Sequence, residues 1–288
     1  MHRRSFLTTL GLGSGTLCAL PAIAQTAGSD RHSWQPDGLG YRARIGLLTS
    51  NDDAVPESEF WTMAPEGVSV HVGRVLLVDT RTFADPPHPD DATALLAALP
   101  MQAIVFAFTT TSYLLGPDGE QALKARLEQR ANGMPVLLPC PAAVAAFRAL
   151  GVRRIALMHP PWFADDEQQL GIAYFQSHGF DVVYANQLRL RGLPVAKPTD
   201  PLRTFTELYP AELYAFARTQ VPPTAEAVLF SGNGFRAIGV ISALEEDLGR
   251  PVLTANQVAF WYALRQAGVR QPVKGYGRVF GALTSAGR

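Results

Sequence analysis

This chain of 288 residues predicts an α/β fold of two pseudo-symmetric, doubly wound (Rossmann-like) domains whose parallel sheets face one cleft. Three observations carry that expectation. Short, continuously apolar runs alternate with longer stretches whose apolar residues recur every three or four positions. Such strands separated by helices form parallel sheets covered on both faces. Gly133, Gly151, Gly179, Gly249 and Gly268 each stand just past a helical stretch, where a left-handed cap belongs. The order of elements also repeats, with a polar segment after Phe108 in the first half and after Phe230 in the second.

In chain order, residues 1–24 read as an export signal. Arg3-Arg4 precedes Ser5-Phe6-Leu7 and a short apolar run, and Ala22-Ile23-Ala24 offers a small-x-small cleavage site. The pattern matches a twin-arginine signal cleaved after Ala24; an ordinary secretory signal containing two arginines is the alternative. The run is shorter than the roughly 20 apolar residues of a spanning helix, so the mature chain is expected in the periplasm without stable membrane association. Residues 25–40, rich in Gly, Ser, Asp and Pro, form a flexible lead-in.

Strands are expected at 43–48, 68–77, 103–108, 135–138, 154–158, 182–184, 227–230 and 251–253. Helices are expected at 56–64, 89–98, 118–132, 141–150, 164–178, 210–219, 236–248 and 256–267. The first domain comprises residues 41–139 plus 256–288, and the second residues 140–255. Open parallel sheets bind ligands beyond the carboxyl ends of their strands, so the polar segments of both halves should meet at one site.

Composition narrows the partners. Loss of Arg3 and Arg4 with the signal takes 25 basic residues to 23, against 25 acidic. No basic excess or cluster points to nucleic acid or an anionic membrane. Cleavage also removes Cys18, leaving Cys140 alone, so no internal disulfide is possible. With 47% apolar residues, burial must supply the stability. No CxxC, HExxH, phosphate loop or GxGxxG after the first strand is present, and no metal or nucleotide cofactor is expected.

The segment Thr109-Thr110-Thr111-Ser112 offers hydroxyl and backbone N–H donors for a carboxylate, although such hydroxyls also simply end strands by bonding nearby backbone. Ser231-Gly232-Asn233-Gly234 has the glycines that close backbone approach requires, with Asn233 the candidate side-chain contact; a plain strand-to-helix turn is the alternative. His159-Pro160-Pro161-Trp162 follows another strand and should reach the cleft. His159 and Cys140 are the candidate proton donors, each with a structural alternative.

Several segments together resemble the aspartate/glutamate racemase superfamily, in its branch of maleate cis-trans isomerases and arylmalonate decarboxylases. They are Ile45-Gly46-Leu47-Leu48 with Asn51, Val70-His71-Val72-Gly73-Arg74, the two polar segments, 148–154, and 249–257 with Trp261 and Leu264-Arg265. The resemblance covers the chain from about Arg42. It implies a two-domain pseudo-twofold fold, a small carboxylate ligand, and substrate contacts from Asn51, Thr109, Thr110, Ser112, Trp162, Gly232, Asn233 and Gly234. It also implies that Phe108 and Gly232 stand where relatives carry proton-moving cysteines, and that Trp162 replaces a tyrosine. A phenyl ring and a hydrogen cannot act as thiols, so cysteine-based racemisation and isomerisation are not expected. Two functions remain open: a cofactor-independent lyase or isomerase-like enzyme on a small mono- or dicarboxylic acid, or an exported carboxylate-binding protein derived from one.

Overall fold

The computed structural model describes residues 37–188 and 208–285. The expected export signal and residues 25–36 of the lead-in lie outside the described residues. Eight strands make two four-stranded parallel sheets. The first contains β1 (Ala43–Ser50), β2 (Val68–Val75), β3 (Ala103–Phe106) and β4 (Val136–Leu137), in the order β2-β1-β3-β4. The second contains β5 (Arg154–His159), β6 (Asp181–Gln187), β7 (Ala227–Phe230) and β8 (Val252–Thr254), in the order β6-β5-β7-β8. The two orders are the same, which is the repeat legible in the sequence.

Helices fill the connections as right-handed crossovers demand. In chain order they are α1 (Val55–Met63), α2 (His88–Leu96), α3 (Thr109–Arg130), α4 (Pro139–Leu150), α5 (Asp165–Ser177), α6 (Pro210–Gln220), α7 (Ile241–Leu248), α8 (Ala255–Gln266) and α9 (Ala282–Ser285). Gly151 and Gly249 close α4 and α7 at φ 69° and 67°, the left-handed geometry anticipated for them.

The strands of the first sheet carry apolar residues on both faces because both faces are largely covered. Ile45, Leu47, Ala103 and Val105 point into a core shared by both sheets. Leu48, Ile104 and Phe106 point into a smaller core beneath α2 and α3, with Leu96, Leu123 and Leu127. The period-two alternation of a strand sends neighbouring side chains to opposite faces, so one apolar run feeds both cores.

The shared core is centred on α8. Thr254 Oγ1 accepts from Gln257 N–H at 3.1 Å, and Gln257 Oε1 accepts from Thr254 N–H at 3.1 Å, a reciprocal cap that fixes where α8 starts. Val258, Phe260, Trp261 and Leu264 are fully buried on this helix. Phe260 meets Phe60 of α1 at a ring distance of 5.0 Å, so the chain returns from β8 to pack on the first sheet's elements. Among the described residues no helix is long and apolar enough to cross a membrane.

One boundary differs from expectation with functional consequence. The segment 109–117 was expected as a loop before a helix at 118, whereas α3 already begins at Thr109. Gly116 (φ 64°, ψ −179°) breaks the helix and Pro117 restarts it. The first turn holds because Asn233 Oδ1, contributed by the other half, accepts the Thr109 N–H at 2.8 Å. A cap supplied from 124 residues away leaves no local signature.

Candidate active site

In a sheet of order 2-1-3-4 the strand order reverses between the first and third strands, and ligands bind outside their carboxyl ends. Two such sheets offer two switch points, and here they open onto a single cavity of about 300 Å³. From the first sheet, Ser50, Asp52 and Asp53 follow β1, while Phe108, Thr109 and Thr110 follow β3. From the second, Trp162 and Phe163 follow β5, and Gly232, Asn233 and Gly234 follow β7. Leu77 and Thr80 after β2, and Glu167 on α5, complete the wall.

The β3 and β7 exits bind each other directly. Asn233 Oδ1 accepts from both the backbone N–H and Oγ1 of Thr109, at 2.8 and 2.7 Å. Asn233 therefore acts on Thr109 rather than projecting as a free ligand contact, and Thr109 has its hydroxyl proton engaged. Thr110, the next residue of this helix start, lines the cavity. Gly232 sits at φ 135°, and a Cβ there would stand 3.0 Å from Pro160 Cγ. The turn at that point excludes a side chain without backbone change.

The apolar wall has its own support. Phe108 stacks on Phe83 with centroids 4.0 Å apart, fixing its ring against the segment after β2. Trp162 packs edge-on to Phe235 at 6.1 Å. Beside the cavity, Arg81 pairs with Asp166, joining the segment after β2 to the start of α5.

Four of the sequence-predicted positions lie away from the cavity wall. Asn51 turns outward and its Oδ1 accepts from Leu77 N–H at 2.7 Å, while Asp52 and Asp53 enter the cavity in its place. Ser112 is on the far side of the α3 turn and donates to Glu120. His159 is 0% exposed, wedged against Tyr113 and Phe163, with no hydrogen-bond partner on either ring nitrogen. Burial lowers its pKa to about 4, so it is neutral at physiological pH.

Cys140 occupies the first turn of α4 as the sequence suggested, but it is buried and its Sγ lies 3.9 Å from the Thr109 carbonyl oxygen. Burial, with the nearby Glu120 charge, raises its pKa well above the usual thiol value. Desolvation here outweighs the helix-start effect, and the thiol stays protonated.

Among the carboxyls of the cavity, Asp52, Asp53 and Glu167, the one held nearest neutrality is one that sequence reasoning passed over. Asp53 is 5% exposed, and its Oδ1 accepts from Val55 N–H at 2.9 Å. Burial pushes its carboxyl up to about 6, helped by Asp52 and opposed by the Val55 N–H and Arg74. A carboxyl that changes protonation near neutrality can give or take a proton, which Thr, Trp and Gly cannot. Glu167 also faces the cavity, but its Oε2 caps α5 by accepting from Ala164 N–H at 2.8 Å. Among the described residues no lysine or arginine lines the cavity, and no cluster of three or more His, Cys, Asp or Glu side chains has metal-holding geometry.

Paired parallel-sheet halves of like order, facing one cavity at their switch points, define an α/β class shared by maleate isomerases and arylmalonate decarboxylases. The maleate isomerase structure of Pseudomonas putida S16 superimposes with a TM-score of 0.74 at 19% identity, covering 83% of this chain and 99% of that one. An arylmalonate decarboxylase structure superimposes with a TM-score of 0.66 at 22% identity, over 83% of this chain and 99% of that one. In sequence, the arylmalonate decarboxylase of Bordetella bronchiseptica is 28% identical over 173 residues, which is 60% of this chain and 68% of that protein. Residues 89–280 match the arylmalonate decarboxylase family model, and the chain belongs to that family.

Proposed function

We propose that this protein is a cofactor-independent enzyme on a small mono- or dicarboxylic acid, acting as a decarboxylase-like lyase without cysteine chemistry. The observation that carries the reading is Asp53, a buried carboxyl held near neutrality, in a cavity whose other walls are neutral donors, apolar rings and the carboxyl side chains of Asp52 and Glu167. Phe108 and Gly232 are read as the emptied cysteine positions. The chain's two described alternatives, Cys140 and His159, are both enclosed and electrically neutral.

The chemistry follows from what each wall offers. Thr110 and the N–H groups of the Gly232–Gly234 turn hold the carboxylate that stays. The carboxylate that leaves lies against Phe108, Trp162 and Leu77, where an apolar surround disfavours its charge. Its carbon–carbon bond breaks, CO2 departs, and the electron pair passes into an enediolate stabilised by the same donors. Protonated Asp53 gives its proton to the carbon, a C–H bond forms, and water reprotonates the aspartate. This acid role requires the carboxyl form, so turnover should fall as pH rises through about 6.

The alternative, a carboxylate-binding protein derived from such an enzyme, is favoured by the loss of both thiol positions and disfavoured by Asp53. Incubation with phenylmalonate in deuterated buffer separates them. Release of CO2 with one deuterium in the product supports the lyase. Thermal stabilisation by phenylmalonate, maleate or phenylacetate with no turnover of any acid would replace it by the binding protein. We also propose that the protein works in the periplasm, on the strength of Arg3-Arg4 and Ala22-Ile23-Ala24. Precursor retained in the cytoplasm when both arginines become lysine is the expected result, and unchanged export would remove the twin-arginine assignment.

A further inference from the structure

Glu59 is a carboxyl on the apolar face of a helix; burial pushes its pKa up to about 7, opposed by the N–H groups of Asn256, Ile238 and Ala237, which favour the ionised form. It lies on α1 with Val55 and Met63 on the same face, yet it is only 6% exposed. Its partners lie far along the chain. Oε1 accepts from the backbone N–H groups of Ala237 and Ile238, at 3.0 and 3.2 Å. Oε2 accepts from Asn256 Nδ2 at 2.7 Å.

From there a chain of amides leads to the cavity. Asn256 Nδ2 also donates to the Asn233 carbonyl oxygen at 2.8 Å, and Asn256 Oδ1 accepts from Asn233 Nδ2 at 2.7 Å. Asn233 Oδ1 then takes both donors of Thr109. Every bond in the chain has one polarity. An amide presents a donor on one side and an acceptor on the other, so reversing one reverses the next. If Asn256 turned over, its Nδ2 would face Asn233 Nδ2. If Asn233 followed, its Nδ2 would face the Thr109 N–H, two donors with no acceptor between them. The Thr109 N–H and the Asn233 carbonyl already oppose both reversals, and Glu59, accepting on Oε1 and Oε2, adds the acceptor that holds Asn256 Nδ2 in place.

We propose that Glu59 is a positioning residue: by holding Asn256, and through it Asn233, it reinforces the direction of the Asn233 amide, and so steadies the docking of the start of α3 on the Gly232–Gly234 turn. This rests on the reading of the cavity as an acid-binding site. The consequence for that site is a division of donors. With Asn233 Oδ1 facing Thr109, that residue's N–H and hydroxyl proton are engaged, and Thr110 with the turn's N–H groups is left to meet the ligand. Glu59 touches neither ligand nor cavity wall; it acts at two removes.

The test combines a readout that needs no ligand with one that does. Glu59→Gln keeps size and packing but places an amide donor opposite Asn256 Nδ2. The side-chain amide resonances of Asn233 and Asn256 should shift in its NMR spectrum, and Asn256→Ala should move those of Asn233 in the same way. Asn256→Ala carries the test by itself if Glu59→Gln does not fold. Phenylacetate affinity, measured by calorimetry, should fall about tenfold in Glu59→Gln. It should fall no further when Glu59→Gln is added to Asn233→Ala, because residues in one chain are not additive. An unmoved Asn233 amide, or losses that simply add, would overturn the inference. Absence of phenylacetate binding by the wild type would instead count against the acid-site reading, and the amide resonances would still decide the role of Glu59.

Discussion

The two halves share a strand order and yet supply opposite chemistry to the cavity. The exit of β1 delivers Asp52 and Asp53, whereas the equivalent exit of β5 delivers Trp162 and Phe163 and encloses its histidine. The exit of β3 enters a helix at once from Phe108, at an ordinary extended φ of −147°, while the exit of β7 passes through Gly232 at φ 135°. Pseudo-symmetry therefore governs the scaffold and fixes where the cavity lies. The side chains at its four exits are free to differ, and that asymmetry gives an acidic wall opposite an apolar one, the arrangement on which the proposed decarboxylation rests.

The contrast between the β1 and β5 exits is broken most severely at Asp53. Asp53→Asn should lower turnover of a malonate by about 10²–10⁴-fold, the usual worth of a general acid. Replacement of His159 by Gln should leave the pH profile of turnover in place. The same Asp53 variant should be more stable at pH 7. The folded carboxyl titrates near 6 against an ordinary 3.8, so the folded state binds more protons between those values. Stability is then lost as pH rises across that window, by about 2–3 kcal/mol in total, and the penalty persists above it. Chemical denaturation at pH 7 should show the gain, and it should vanish below about pH 4. Equal stability of the two proteins at pH 7 would mean that Asp53 is not strained by burial.

The β3 and β7 exits are separated by what each tolerates. Gly232→Ala should cost about 1–3 kcal/mol because a Cβ is forced into a left-handed backbone beside Pro160. Phe108→Cys imposes no such backbone strain and loses only its stacking on Phe83. If a thiol is to be introduced into this cavity, position 108 should accept it and position 232 should resist. Differential scanning calorimetry of the two variants tests the ranking.

Within one helical turn, Thr110 and Ser112 should part company. Thr110→Val removes a hydroxyl from the cavity, and each hydrogen bond lost to a charged ligand costs about 1.5–3 kcal/mol. Phenylacetate affinity should drop roughly tenfold or more. Ser112→Ala, whose hydroxyl faces Glu120, should leave that affinity unchanged.

The smallest effect is expected at Cys140. Its thiol is buried and protonated, so iodoacetamide should neither label the native protein nor slow its turnover. Labelling of native Phe108→Cys under the same conditions would mark the difference between an enclosed thiol and one in the cavity. Inactivation of the wild type, prevented by substrate, would transfer the chemistry to Cys140.

The sequence by itself determined the periodic architecture. All eight strands and the helices between them, apart from the first turns of α3, follow from apolar runs, three- and four-residue spacing and glycine caps, because these are local preferences written in consecutive residues. It also determined that the exits of β3 and β7 meet at one cavity, since strand ends in a repeated parallel pattern converge. Only the tertiary structure decided which side chains at those exits point inward. Asn51 and Asp53 are two residues apart on one turn, and which of them enters the cavity depends on the Leu77 N–H that captures Asn51. Thr109 and Asn233, or Glu59 and Asn256, are partners across 124 and 197 residues. Their polarity is set by bonds between halves that no local pattern encodes. The desolvation that raises Asp53 and Cys140 and neutralises His159 likewise belongs to the packed whole, because a pKa responds to what surrounds a group rather than to its neighbours in the chain.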